Sequence, residues 1–204
     1  MEPDAPAIPA AIVCAVRPHG ESAAIARLLT AGQGLVAAYV AGGRGRQLRP
    51  VLIPGNAVSA ELRARSEASL PFARIELALS RAPFLAEPLP AAAIAWSTAL
   101  TAAALPERQP FAALHPALGA LLDAVCHAPS ARGWLPALVA YEALLLRELG
   151  YGAPRGFPPR EDFAANLSLF DRLGPALARY PLAACRSDVM AARALLRERL
   201  GKIE

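Results

Sequence analysis

Between Val58 and Arg65 every second residue is apolar: Val58, Ala60, Leu62 and Ala64 fall on one side, and Ser59, Glu61, Arg63 and Arg65 on the other. Strict period-two alternation marks an antiparallel strand with one face buried and one in water. The turn formers Pro54-Gly55-Asn56 stand in front of it. A second alternating run turns Ile75, Leu77 and Leu79 inward and Arg74, Glu76 and Ser80 outward. Shorter apolar runs at Ile12–Arg17 and Leu35–Val40 are closed off by Pro18 and Gly20, and by Gly34 and the Gly42-Gly43 pair. Residues 21–31 admit two readings. Their apolar members Ile25, Leu28 and Leu29 fit a helix slightly better, yet a strand paired with Ile12–Arg17 would bury the same side chains. About five strands in residues 1–80, separated by Gly and Pro turns, fit a small closed β-barrel better than a sandwich.

Beyond Arg81 the apolar period lengthens to about 3.6. Phe111, Leu114, Leu118, Leu121, Leu122 and Val125 form one stripe, with Pro116 near its start or at a kink. Trp134, Leu138, Tyr141, Leu145 and Leu149 form a second, with Pro136 expected in the first turn and Gly150 as its stop. Phe163, Leu167, Phe170, Leu173, Leu177 and Tyr180 form a third, and a fourth runs from about Asp188 to Leu200. With the Ala-rich stretch 91–105 these predict five helices, so the fold class is α+β: a barrel over 1–80, then an all-α domain over 81–204. The prolines at 83, 88 and 90 mark the boundary, and the Pro-rich stretch 151–160 (YGAPRGFPPR) is a stiff connector inside the helical part.

Composition narrows the function classes. Of 204 residues 55% are apolar, enough for a core and too many for a disordered chain. Alanine supplies 48 of them, which raises hydropathy without bulky side chains. The longest uncharged stretch, 88–106, contains three prolines, so it reads as a buried helix and not a membrane anchor. The first 20 residues carry Glu2 and Asp4 and no basic start of a secretory signal, which predicts a cytoplasmic protein. Cys14, Cys126 and Cys185 form no CxxC pair, so neither a disulfide framework nor a metal site is expected. Only Lys202 among the 21 basic residues is not arginine, which excludes P-loop or Schiff-base chemistry inside the fold.

Catalytic patterns are absent as well. His19, His115 and His127 fit no HExxH, and no serine lies in GxSxG. Cys126 and His127 are adjacent, which on a helix points them about 100° apart. Glu161-Asp162 is better explained as favourable charge at a helix start. A non-enzymatic role without cofactors follows.

The basic residues point to a polyanion. Residues 1–82 carry nine Arg against six acids, and 151–204 nine basic residues against six acids. Gly42-Gly43-Arg44-Gly45-Arg46-Gln47-Leu48-Arg49 sets three guanidiniums on a Gly-rich loop after a strand, a flexible basic finger suited to phosphates. An ordinary solvated hairpin loop would look the same. Arg17 and the outward Arg63, Arg65 and Arg74 extend the candidate surface. Tyr39 and Phe72 are the aromatic platforms available, unless they are core. Backbone contact is therefore expected to dominate. Arg186, Arg193 and Arg197 recur on one face of the last helix, either a second phosphate stripe or the solvent face.

Arg17-Pro18-His19-Gly20-Glu21-Ser22, Leu28-Leu29-Thr30, Gly34, the Gly42–Arg46 loop and Tyr141-Glu142 through Glu148-Leu149-Gly150-Tyr151-Gly152 together resemble the RecO family of recombination mediators over about residues 8–152. The resemblance implies an N-terminal OB-fold, a helical C-terminal domain, and binding of single- and double-stranded DNA. It also implies strand annealing, and loading of recombinase onto DNA coated by single-strand-binding protein, with RecR as partner. Two departures stand out. Many relatives follow the Gly-aromatic-Gly element with four zinc-binding cysteines, whereas here Gly152 leads into APRGFPPREDF. Relatives also often carry an arginine, where this chain has Ala140, in the region that docks the acidic tail of single-strand-binding protein. Arg132, Arg147, Arg193 or Arg197 would have to supply that charge. The alternative is a protein–protein adaptor that binds no DNA.

Overall fold

The structure, a computed structural model, describes residues 7–64, 66, 69–152, 157, 161–185 and 188–203. Arg65, Arg186 and most of the 151–160 connector lie outside them. The described residues fall into two compact units: the chain up to Pro83 together with Pro106–Ala112, and Phe84–Leu105 together with Ala113 onward.

The first unit is a closed barrel of five strands: β1 (Ala7–His19), β2 (Ala23–Thr30), β3 (Gly34–Val40), β4 (Ala57–Arg63) and β5 (Phe72–Leu79), in the order β1-β2-β3-β5-β4. One parallel pairing, Tyr39 with Phe72, joins β3 to β5, and the other junctions are antiparallel. This is the small closed barrel that the alternating runs predict, of the OB type that the family resemblance implies. β1 is longer than the Ile12–Arg17 run because it serves two neighbours. Its first half pairs with β4 and its second with β2, and the register shifts between Val13 and Ala15. A bulge there bends the strand enough to close the barrel. The interior is filled by Ala11, Val13, Ala24, Ala26, Leu28, Val40, Val58, Ala60 and Ile75, with Leu52 from the long β3–β4 loop. Alanines at four of these places leave space for the larger neighbours in a narrow barrel.

Two strand expectations need correction. Residues 23–30 form a strand, against the slight preference for a helix, and nearly every one of them is buried. A strand covered on both faces loses its alternation, and so the signal that would have typed it. On β5 only Ile75 of the three expected inward leucine and isoleucine side chains is buried; Leu77 and Leu79 are 46% and 47% exposed. Beyond Phe72, β5 has no ladder partner on its β3 side, so its second half lies open.

Pro106–Ala112, expected in the helical part, clusters with the barrel. The Arg108 amide donates to the Leu35 carbonyl at 2.8 Å, and Glu107 pairs with Arg27 at 3.2 Å. Gly34, at φ +69°, lies so close under this segment that a Cβ would sit 2.0 Å from the Gln109 carbonyl oxygen, which leaves glycine as the residue that fits. Phe111 therefore precedes the helix it was expected to join.

The second unit holds α1 (Pro88–Ala104), α2 (Leu114–His127), α3 (Ala131–Glu148), α4 (Phe163–Arg179) and α5 (Met190–Leu200). Asp162 caps α4, accepting the Ala165 amide at 2.8 Å. Pro136 lies inside α3, not in its first turn, because the helix already begins at Ala131. No described helix is long and apolar enough to cross a membrane.

The centre of this unit is ionic. Glu142 on α3 is fully buried, and its Oε1 accepts the Trp96 indole N–H from α1 at 2.7 Å. Arg193 on α5 clasps the same carboxylate through Nε at 3.1 Å and Nη2 at 2.8 Å. Its guanidinium carbon stands 3.7 Å from the Phe170 ring centre on α4, and Nη2 also donates to the Phe170 carbonyl. Gly174 makes room, since a Cβ there would come 2.5 Å from Nη1. Burial pushes the Glu142 carboxyl above its ordinary range, against the pull of Arg193 and of the indole. Next to it the Tyr141 hydroxyl meets Thr101 Oγ1 at 2.5 Å. Arg193, expected on a partner-binding surface, is thus a core residue, 6% exposed. The spacing that grouped it with Arg197 held on the helix, but the face it occupies looks inward, where Glu142 needs a counter-charge.

Cys14, at the β1 bulge, is completely buried, and burial pushes its thiol up to about 12. Since the thiolate is the reactive form, native protein at pH 8 is expected to label at Cys126 and Cys185 and not at Cys14. Peptide mapping after brief alkylation checks this; labelling of Cys14 at the rate seen in denaturant would contradict it.

Candidate nucleic-acid interface

One row of paired residues crosses the barrel wall: Arg17 faces Ile25, Ile25 faces Tyr39, Tyr39 faces Phe72 and Phe72 faces Arg63. Directly opposed residues share a face of the sheet, and this row alternates with the barrel interior, so it lies on the outer wall, where Ile25 is itself buried. Arg17 and Arg63 are exposed at its ends, Phe72 is half exposed, and Tyr39 is half buried. Tyr39 makes edge contacts with Phe72, ring centres 5.0 Å apart, and with His19 at 5.7 Å. Arg63, Phe72 and Arg74 line one shallow cleft together with Glu61 and Ala73. The exposed Arg74 also reaches Glu76 at 3.6 Å, a solvated pair that yields readily to a phosphate. The aromatic platforms left open between stacking and core are thus a surface pair flanked by guanidiniums. Sequence reasoning named Tyr39 and Phe72 singly; their strand register, which makes them neighbours, is a tertiary fact. His19, which enters the sequence reading as a histidine without a catalytic pattern and as part of the Arg17–Ser22 motif, joins this surface by its place on β1.

The Gly42–Arg49 loop, expected as a flexible finger, is folded back on itself and does not project from the barrel. It folds into successive turns, Gly45 to Gly42, Arg49 to Gly45 and Leu52 to Leu48, and closes one barrel mouth with Leu52 buried. Gly43 packs so tightly that a Cβ would lie 2.8 Å from the Ala24 Cβ and 3.0 Å from Leu52 Cδ1. Arg44 anchors the loop to the β1–β2 turn: its amide donates to Ser22, and Nη1 donates to the carbonyls of Gly20 and Glu21 at 3.1 and 2.9 Å. Behind it, buried Asn56 donates to the carbonyls of Pro50 and Val51 and accepts the Arg81 amide. Arg44, Arg46 and Arg49 all remain exposed. The loop and the aromatic row share one strand end, because Val16 and Pro18 border the loop while Arg17 and His19 turn outward. The arrangement presents cations and ring faces held by backbone hydrogen bonds, which is what a phosphate chain with exposed bases can engage.

On the helical unit, Arg197 is paired with Asp171 at 2.6 Å. Arg132 is exposed and lies over the Phe163 ring at 4.9 Å. Arg147 is exposed in the last turn of α3. Fifteen residues along one helix separate Arg132 from Arg147 by about 22 Å, so they cannot rim one short groove. Tyr141, between them on the same helix, is core. Among the described residues no three His, Cys, Asp or Glu side chains gather as a metal site. Elemental analysis is expected to find no stoichiometric zinc, and chelator to leave the melting curve unchanged; one tightly held equivalent would contradict this.

A five-stranded OB-type barrel with arginines and aromatic rings on its outer wall, followed by a helical domain, defines a class of two-part proteins. The model of the Recombination protein O N-terminal domain matches residues 8–79, and that of the Recombination protein O C-terminal domain matches residues 88–154. The chain belongs to the RecO family. It is similar to proteins called DNA repair protein RecO: 45% identical over 147 residues to that of Rhodospirillum centenum, and 42% over 143 residues to that of Phenylobacterium zucineum. The matches cover 72% and 70% of this chain and 57% and 58% of the relatives. The chain thus spans a little under three-fifths of the length of the curated relatives it matches.

Proposed function

We propose that this protein is a non-enzymatic mediator of DNA repair and homologous recombination. It binds single- and double-stranded DNA through the barrel, anneals strands, and helps load recombinase onto DNA coated with single-strand-binding protein, working with RecR in the cytoplasm at the nucleoid. The observation that carries the DNA-binding part is the row Arg17, Tyr39, Phe72 and Arg63 with the Arg44–Arg49 loop at the same barrel end. Family membership supports the rest. Titration of a labelled oligonucleotide at several salt concentrations tests it. A phosphate-dominated binder loses affinity log-linearly with salt as counterions are released. Absence of binding, or affinity indifferent to salt, favours the adaptor reading instead.

Docking of the acidic tail of single-strand-binding protein falls to Arg147 within this reading. The residue four before it is Ala143, so no carboxylate one turn back holds the guanidinium. Arg147→Ala is expected to weaken binding of a tail peptide several-fold, as loss of a charged hydrogen bond does, while DNA affinity stays unchanged. Equal peptide affinity in both proteins moves the docking site off α3.

A further inference from the structure

Between the loop and β1 lies a cleft of about 410 Å³ lined by Val16, Pro18, Ala24, Gly43, Leu52, Arg44 and Arg49. Its chemistry is divided. Val16, Pro18, Ala24 and Leu52 supply an apolar floor, and the two guanidiniums stand on the rim. Arg44 is held in place by the Gly20 and Glu21 carbonyls, whereas no carboxylate of the described residues pairs with Arg49. An open cleft with apolar walls and two cations at its mouth suits a flat apolar body that carries negative charge beside it. Inorganic phosphate would use the rim and leave the floor wet, and a purely apolar ligand would leave the cations unused.

We infer that this cleft receives one unstacked nucleobase of a DNA strand, with the adjoining phosphates on Arg44 and Arg49. The inference rests on the proposed DNA-binding role of the barrel. It adds a second base-recognition point, beside the Tyr39–Phe72 platform, and assigns it to the barrel mouth. A base inside a duplex must leave its stack to enter. The cleft therefore favours single strands, gaps and frayed ends over intact duplex.

The test compares a natural oligonucleotide with one of equal length whose sugars lack bases, so that phosphates are constant. To remove the other base-reading surface, both are titrated against the Tyr39→Ala/Phe72→Ala protein. Natural strand is expected to bind roughly ten-fold more tightly than the abasic one, a typical effect for one base contact. Adding Val16→Phe, which fills the cleft, is expected to bring the ratio to about one. A ratio near one in the Tyr39→Ala/Phe72→Ala background, or a ratio that survives Val16→Phe in a protein with unchanged melting, overturns the inference. Should the Val16→Phe protein not fold, the ratio in the first background decides alone. If natural strand binds no better to the intact protein than to the Arg44→Ala/Arg46→Ala/Arg49→Ala variant, the fault lies with the loop's place in the interface itself and not with the cleft alone.

Discussion

Arg193→Ala is expected to cost the helical unit about 3–5 kcal/mol, because it leaves the Glu142 carboxylate buried and unpaired. Both tryptophans of the chain, Trp96 and Trp134, belong to this unit, and Trp96 donates its indole N–H to the same carboxylate. Urea unfolding followed by tryptophan fluorescence therefore reports on the affected unit directly. Glu142→Ala is expected to do comparable damage by stranding the guanidinium between Phe170 and Trp96. A double replacement by Leu at 142 and Met at 193 removes both charges and keeps most of the volume. It is expected to be more stable than either single variant, since what destabilises is the unpaired charge and not the missing bridge. A cost for Arg193→Ala within about 0.5 kcal/mol, the usual range for surface sites, would show that the network does not hold the bundle together.

The same residues show where sequence reasoning reached and where it stopped. A small barrel followed by five helices was legible, because period-two and period-3.6 patterns are local, whereas the strand at residues 23–30, buried on both faces, showed no period to type it. Glu161-Asp162 was legible as charge at a helix start, though not the cap that Asp162 makes with the Ala165 amide. Arg193 was not, because periodicity says which side chains share a face and not which way that face turns. One signal for it lay in α3: Glu142 stands within the apolar set Trp134, Leu138, Tyr141 and Leu145, and an acid there requires a buried cation from elsewhere. The Tyr141-Glu142 pair that helped mark the family is explained by the same contacts, the hydroxyl to Thr101 and the carboxylate to Trp96 and Arg193. At the candidate interface the arginines were legible from charge alone. The gathering of His19, Tyr39 and Phe72 was not, because it is made by the β1–β2–β3 pairing and by the β3–β5 junction, which joins residues 33 positions apart. The loop's folded course was equally hidden, since glycines signal freedom in a sequence, whereas Gly43 is there for want of room.

Simultaneous replacement of Arg44, Arg46 and Arg49 by alanine is expected to weaken DNA binding at least about ten-fold at moderate salt, with little dependence on base sequence. Each phosphate contact contributes roughly 0.7–0.9 to the slope of log affinity against log salt, so three lost contacts flatten it by about two to three units. The expected loss is not equal among the three. Arg44 spends one nitrogen on the Gly20 and Glu21 carbonyls and so helps to fix the loop, while Arg46 and Arg49 are exposed without such anchors. Arg46→Ala/Arg49→Ala is therefore expected to change binding without changing stability. Adding Arg44→Ala is expected to cost about 0.5–1.5 kcal/mol in the barrel, the range for a hydrogen bond of this kind. Circular dichroism melts measured beside the salt titrations separate the two effects. An unchanged slope and affinity for both single and double strands in the triple variant would remove the loop from the interface and leave the Arg17–Tyr39–Phe72–Arg63 row to account for binding by itself.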